Sequence, residues 1–201
     1  MLDKNNIISK ISRDEPVEIE IGCGDRKRDP DVIGIDILDT SATDIVGDAL
    51  EVLRALPGES VKSISSYHVF EHLQDIQEII AEVERVLVPD GEMLVVVPHY
   101  SNPFYYSDPT HRNFFGLYTF SYFCEDKLFR RRVPSYVRRM GLELSRVRLV
   151  FKSFPPRYLT HALRKVFQSL FNISNWSQEI YEDSFSSFIS CYEIHYTIRK
   201  T

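Results

Sequence analysis

The chain has little cysteine, little glycine and no long apolar run. Three cysteines in 201 residues cannot form a disulfide scaffold, and no Cys-x-x-Cys pair offers zinc ligands. Eight glycines and ten prolines exclude collagen-like and low-complexity chains. The longest apolar stretch, Met93 to Pro98, is far short of the ~20 residues that cross a bilayer. The opening residues, Met1-Leu-Asp-Lys-Asn-Asn6, lack the apolar core of a secretion signal. These absences predict a soluble, cytoplasmic protein with reduced thiols. What is present is core material. Hydrophobic residues make up 43% and aromatics 12%, which excludes disorder throughout. The length suits a single domain over 1–201, with a loop insertion at about 100–118 and a helical insertion at about 153–188.

The net charge of −5 hides an asymmetry. Residues 1–125 carry 10 basic and 23 acidic side chains, whereas residues 126–165 carry 12 basic and only Asp126 and Glu143. A basic block of this kind either balances the acidic half as a solvated face or attracts an anionic partner, such as a phosphorylated metabolite or a lipid head group. No recognised binding motif accompanies it, which argues against nucleic acid.

Alternation and apolar runs predict seven strands: 17–22, 32–36, 44–48, 61–69, 92–97, 141–150 and 190–198. Helices are expected over 49–56, over 76–87 behind a capping Asp75, over 119–140 with a break near Pro134, and over 158–172. Alternating strands and helices predict an α/β, Rossmann-like fold. Its seven-stranded sheet would be mostly parallel, with helices on both faces and an antiparallel C-terminal strand.

In such sheets ligands bind beyond the carboxyl ends of the strands. Strand one runs into Glu20-Ile-Gly22-Cys23-Gly24, whose glycines allow a tight turn and close approach of a ligand. Strand two ends at Asp36, where a carboxylate can accept two ribose hydroxyls. Strand three ends in Gly47-Asp48-Ala49, where an Asp can accept from an exocyclic amine or merely cap a helix. The third glycine of the dinucleotide fingerprint is missing, and 26–31 is too short for a crossover helix. That suits an adenosine ligand without phosphates better than a pyrophosphate.

On these residues the sequence resembles the class I S-adenosylmethionine-dependent methyltransferases. Further matches are Ser66-Tyr-His-Val-Phe-Glu-His72-Leu73 after strand four and Glu84-Arg-Val-Leu-Val-Pro-Asp-Gly91 before strand five. The resemblance implies S-adenosylmethionine as cofactor. Glu20 belongs to the first motif, and Gly22, Cys23 and Gly24 would pass under the methionine part. Asp36 would hold the ribose, Ile37 the adenine face, and Asp48 and Ala49 the adenine edge. Ser66, Tyr67 and His68 would border the sulfonium. Cys23 reads equally as a small buried filler.

Methyl transfer is an in-line displacement catalysed mostly by positioning, helped by a base where the acceptor is a hydroxyl. Candidates for that base are His68, Glu71, His72, His99, Asp108 and His111, with His72, His68 and His111 taken as the catalytic set. The segment Ser107-Asp-Pro-Thr-His-Arg-Asn-Phe-Phe115 resembles a loop of bacterial methyltransferases of surface polysaccharide and lipopolysaccharide synthesis. His99, Asp108 and His111 have metal-ligand chemistry but meet no ligand-spacing rule, so no metal is assigned. The helix 158–172 is read as a lid over the acceptor or a dimer contact, and its basic residues also allow peripheral membrane contact. The resulting expectation is O-methylation of an anionic small molecule or glycan. The alternatives are a non-catalytic cofactor-binding protein and another transferase on this fold, such as an aminopropyl transferase.

Overall fold

The computed structural model describes residues 1–134 and 141–201. Nine strands form one sheet: β1 (Leu2–Asp3), β2 (Val17–Ile21), β3 (Ile33–Asp36), β4 (Ile45–Val46), β5 (Val61–Tyr67), β6 (Leu87–Pro98), β7 (Glu125–Asp126), β8 (Leu142–Val150) and β9 (Glu193–Lys200). Their order is β1-β4-β3-β2-β5-β6-β9-β8-β7. Strands β2 to β6 pair in parallel, and β9 inserts antiparallel between β6 and β8. The seven expected strands are all present. The two additions, β1 and β7, have two residues each and are too short to show a period.

The central strands bury side chains of both parities. Ile19, Glu20 and Ile21 on β2 are all buried, as are Val95, Val96 and Val97 on β6. That pattern requires cover on both faces, as parallel sheets have. β6 begins earlier than expected because Leu87 already pairs with Val61, before pairing resumes at Glu92. Asp90 takes φ +61°, and the β5–β6 register slips between Val61 and Ser63, which absorbs the extra residues as a bulge.

Helices are α1 (Ala49–Ala55), α2 (Ile76–Val86), α3 (Tyr158–Phe171) and α4 (Asn175–Ile180). Asp48 caps α1 by accepting from Leu50 N and Glu51 N. α2 buries Ile79, Ile80, Val83 and Val86, but the expected cap at Asp75 makes no capping bond. The helix expected over 119–140 does not form in its described part, and 135–140 lie outside the described residues. A single 3-10 turn, Phe120–Tyr122, is followed by β7 and irregular chain. There Asp126 Oδ1 accepts from Leu128 N and Phe129 N, a local bond that competes with a helix.

α3 forms as expected, but of its apolar stripe only Phe167 and Phe171 pack against the core. Its polar side faces the protein: Arg164 donates to Lys152 O and Ser190 Oγ, and Gln168 Oε1 accepts from Phe151 N. Asn172, just past the helix, bonds both N and O of Leu149. Leu159, Leu163, Val166 and Leu170 point outward, Leu159 with 85% of its surface exposed.

Candidate active site

Strand order reverses at β2, which has β3 on one side and β5 on the other. A groove of about 720 Å³ opens there, at the carboxyl ends of β2 to β5. Gly22, Asp36, Ile37, Asp48, Ala49, His68, His72 and Thr110 all line it.

Gly22 turns the chain out of β2 with φ +77°, and a Cβ there would overlap Val69 Cγ2. Gly24, at φ +59°, donates its N–H to Asp36 Oδ2 at 2.8 Å. Asp36 Oδ1 accepts from Leu38 N at 2.8 Å. Both oxygens are thus oriented by backbone, and each keeps a lone pair for a further donor. Ile37 beside it is 72% exposed, an apolar side chain open to the groove. Asp48 spends Oδ1 on the α1 cap and leaves Oδ2 without a partner. Capping and groove-lining therefore coexist at Asp48.

Other residues of the expected cofactor set turn inward. Glu20 is buried and its Oε2 accepts from Arg28 N at 2.8 Å, which ties down the short 26–31 connection. Cys23 is buried beside Thr43 and Ala42 O, and burial pushes its thiol pKa up. That fits an inert filler. The Ser66 hydroxyl is buried without a partner, and the Tyr67 ring stacks under the Arg28 guanidinium at 4.6 Å. Glu20, Cys23, Gly24, Ser66 and Tyr67 do not line the groove.

His68 ends β5 in the left-handed region, with φ +57°. Its Nε2 lies 3.4 Å from Glu193 Oε2 and its Nδ1 3.4 Å from Glu71 Oε1. Hydrogen bonds to Glu193 and Glu71 outweigh burial and raise its pKa to about 9. At neutral pH His68 is a donor and cannot serve as the base expected of it. Glu193 also accepts from Lys152 and His195. Sequence reasoning missed Glu193, which lies 125 residues away in sequence and carries no motif.

His72 Nδ1 is 2.9 Å from Thr110 Oγ1, and Thr110 Oγ1 donates to Asp108 Oδ1 at 2.6 Å. The Thr110 hydroxyl and N–H hold the Asp108 carboxyl below its usual range. His111 lies beside His72, ring centroids 4.8 Å apart. The three histidines taken as catalytic therefore cluster at one end of the groove. His99 does not join them: it is fully buried and pairs with Glu182 at 3.0 Å and Ser101 at 2.8 Å. Among the described residues, none of 126–165 and none of α3 lines the groove, and Arg138 and Arg139 of the basic block lie outside the described residues.

Comparison with known proteins agrees with this geometry. Residues 19–95 match the family model of a methyltransferase domain. No curated protein sequence matches. Among solved structures, a SAM-dependent methyltransferase from Archaeoglobus fulgidus superposes with TM-score 0.56 at 13% identity, covering 98% of this chain and 90% of that one. The YcgJ protein from Bacillus subtilis gives 0.52 at 17% identity, covering 98% and 96%. A sarcosine dimethylglycine methyltransferase from Galdieria sulphuraria gives 0.51 at 16%, covering 93% and 79%. These likenesses establish the fold. The groove suits the cofactor that the domain match brings: a glycine turn that a side chain would block, an oriented carboxylate, and an open apolar side chain for a flat ring. Residues 19–95 thus match a methyltransferase domain, the whole chain has the fold of SAM-dependent methyltransferases, and the groove fits S-adenosylmethionine as cofactor.

Proposed function

We propose that the chain transfers the methyl group of S-adenosylmethionine to a hydroxyl of a small anionic or glycan acceptor, a sugar or its anionic carrier, in the cytoplasm. Polysaccharide or lipopolysaccharide precursors are the class of acceptor favoured. One observation carries the reading: the loop Ser107–Phe115 meets the groove, with Thr110 in its wall and bonded to His72. When bound, the cofactor supplies an electrophilic methyl on a sulfonium. The chain's own part is placement. Asp36, Ile37 and Asp48 hold the nucleoside, and His72, clustered with His68, stands where an acceptor hydroxyl would enter. The test is a methyl-transfer assay across nucleotide sugars and glycan acceptors with His72→Ala. Turnover should fall about 10²–10⁴-fold while S-adenosylhomocysteine affinity is kept. Full activity in that variant would remove His72 from the chemistry.

A membrane-bound acceptor has a matching surface. α3, with its outward stripe, packs beside β8, whose Arg146 and Arg148 are exposed. These arginines share a cleft of about 450 Å³ with Ser169 and Ile173. We propose that this face rests on an anionic bilayer surface. Among the described residues no helix is long and apolar enough to cross a membrane.

A further inference from the structure

At the acceptor end of the groove two histidines and a buried glutamate converge. Glu71, His72 and His111 each offer one donor atom, all within 4.8 Å of one another. They come from two segments, the turn after β5 and the loop after β6, and backbone bonds clamp the two together. Arg112 N and Asn113 N donate to Glu71 O at 2.7 and 3.2 Å. Asn113 Nδ2 donates to Phe70 O and Leu73 O at 3.0 and 2.6 Å.

Each imidazole is oriented through its Nδ1. The Thr110 hydroxyl gives its proton to Asp108, so its oxygen accepts from His72 Nδ1–H. His111 Nδ1 lies 2.8 Å from Tyr105 O, a carbonyl that can only accept. Both rings therefore keep their lone pair on Nε2. This is the outer-shell arrangement that fixes metal-ligating histidines. Glu71 is 1% exposed; Oε1 faces His68, and Oε2 is buried with no partner. An unsatisfied buried carboxylate oxygen is costly. Asp108 Oδ2, 3.7 Å from His111 Nε2, adds negative charge at the rim.

We propose that Glu71, His72 and His111 bind one divalent first-row transition ion. Two imidazoles and one carboxylate suit Zn²⁺, Fe²⁺, Co²⁺ or Mn²⁺. Mg²⁺ and Ca²⁺ favour all-oxygen sets. Three protein ligands leave open positions, and His72 lines the groove, so those positions face the acceptor. An acceptor oxygen held there is oriented and more easily deprotonated. With a cation on Nε2, His72 acts on the acceptor through the metal rather than by taking its proton. The site goes beyond the reaction proposed above and stands whichever acceptor is used.

The experiment titrates Co²⁺ into the chelator-stripped full chain and follows visible absorption, with Zn²⁺ as competitor. One Co²⁺ per chain with ligand-field bands, displaced by Zn²⁺, is expected. Glu71→Gln and His111→Ala should weaken binding about 100-fold or more, and Thr110→Val, which deletes only the hydroxyl orienting His72, about 10-fold. Circular dichroism checks that each variant is folded. Absent bands in the folded wild type, or unchanged Co²⁺ affinity in His111→Ala, overturns the proposal. If His111→Ala does not fold, Thr110→Val decides, and unchanged affinity there overturns it equally. Loss of the methyltransferase reading would show separately, as Co²⁺ binding without any S-adenosylhomocysteine binding.

Discussion

Gly22 and Gly24 lie two residues apart in one turn, and both have positive φ, but their surroundings differ. An added Cβ at Gly22 meets the stiff Val69 side chain, whereas at Gly24 it meets nothing within 4 Å. Gly24→Ala should therefore cost about 1 kcal/mol, the backbone penalty alone. Gly22→Ala adds an overpacking cost of about 1–3 kcal/mol and should close the groove floor. Urea unfolding of the pair checks this, and equal losses would show that the Val69 contact is unimportant. At this scale Asp36 and Asp48 were legible as groove-lining carboxylates because each stands where a strand ends, although Asp48 caps α1 as well. Glu71 was legible only as one candidate base, since burial of its carboxylate depends on a loop some 40 residues downstream.

Among elements, α3 departs furthest from expectation. Its apolar period is plain in the sequence, and the ordinary inference is that the apolar stripe packs inward. The polar groups of 149–153 decide otherwise, because backbone groups of Leu149, Phe151, Lys152 and Ser153 take His161, Arg164, Gln168 and Asn172 as partners. Leu163→Glu with Val166→Glu should thus change the melting temperature little. Gln168→Ala should cost about 1–2 kcal/mol by stranding Phe151 N. The same double glutamate variant should lose flotation with phosphatidylglycerol vesicles that the wild type retains. A large melting loss in the double variant would mean that the stripe is covered, and wild-type protein that does not float would remove the bilayer from the proposal. The expected 119–140 helix failed for a related reason. In its described part, Phe120 serves the core from a 3-10 turn and Phe129 from irregular chain.

At the scale of the molecule, β9 joins the C-terminal insertion to the site through Glu193. Burial alone would raise the Glu193 carboxyl, but hydrogen bonds from His195, His68 and Lys152 hold it well below its ordinary 4.5. A depressed carboxylate contributes stability that is present above its unfolded pKa and is lost as pH falls toward its folded one. The stability gap between wild type and Glu193→Gln should be full at pH 6 and shrink steadily below about pH 4.5. Urea unfolding at successive pH values reads this, and a gap constant down to pH 3 would mean that Glu193 holds no such charge cluster.

The sequence by itself determined the parallel core and the strand ends that line the groove at Gly22, Asp36 and Asp48. Strands and the turns that follow them are local, and their period and glycines are written within a few residues. Tertiary structure alone decided the acceptor end. Whether His68 keeps a proton and where Glu71 points depend on partners about 40 to 125 residues away, and which face of α3 meets solvent depends on partners 8 to 26 residues away. Contacts at that separation follow from packing and hydrogen-bond satisfaction across the finished sheet, and no local pattern encodes them.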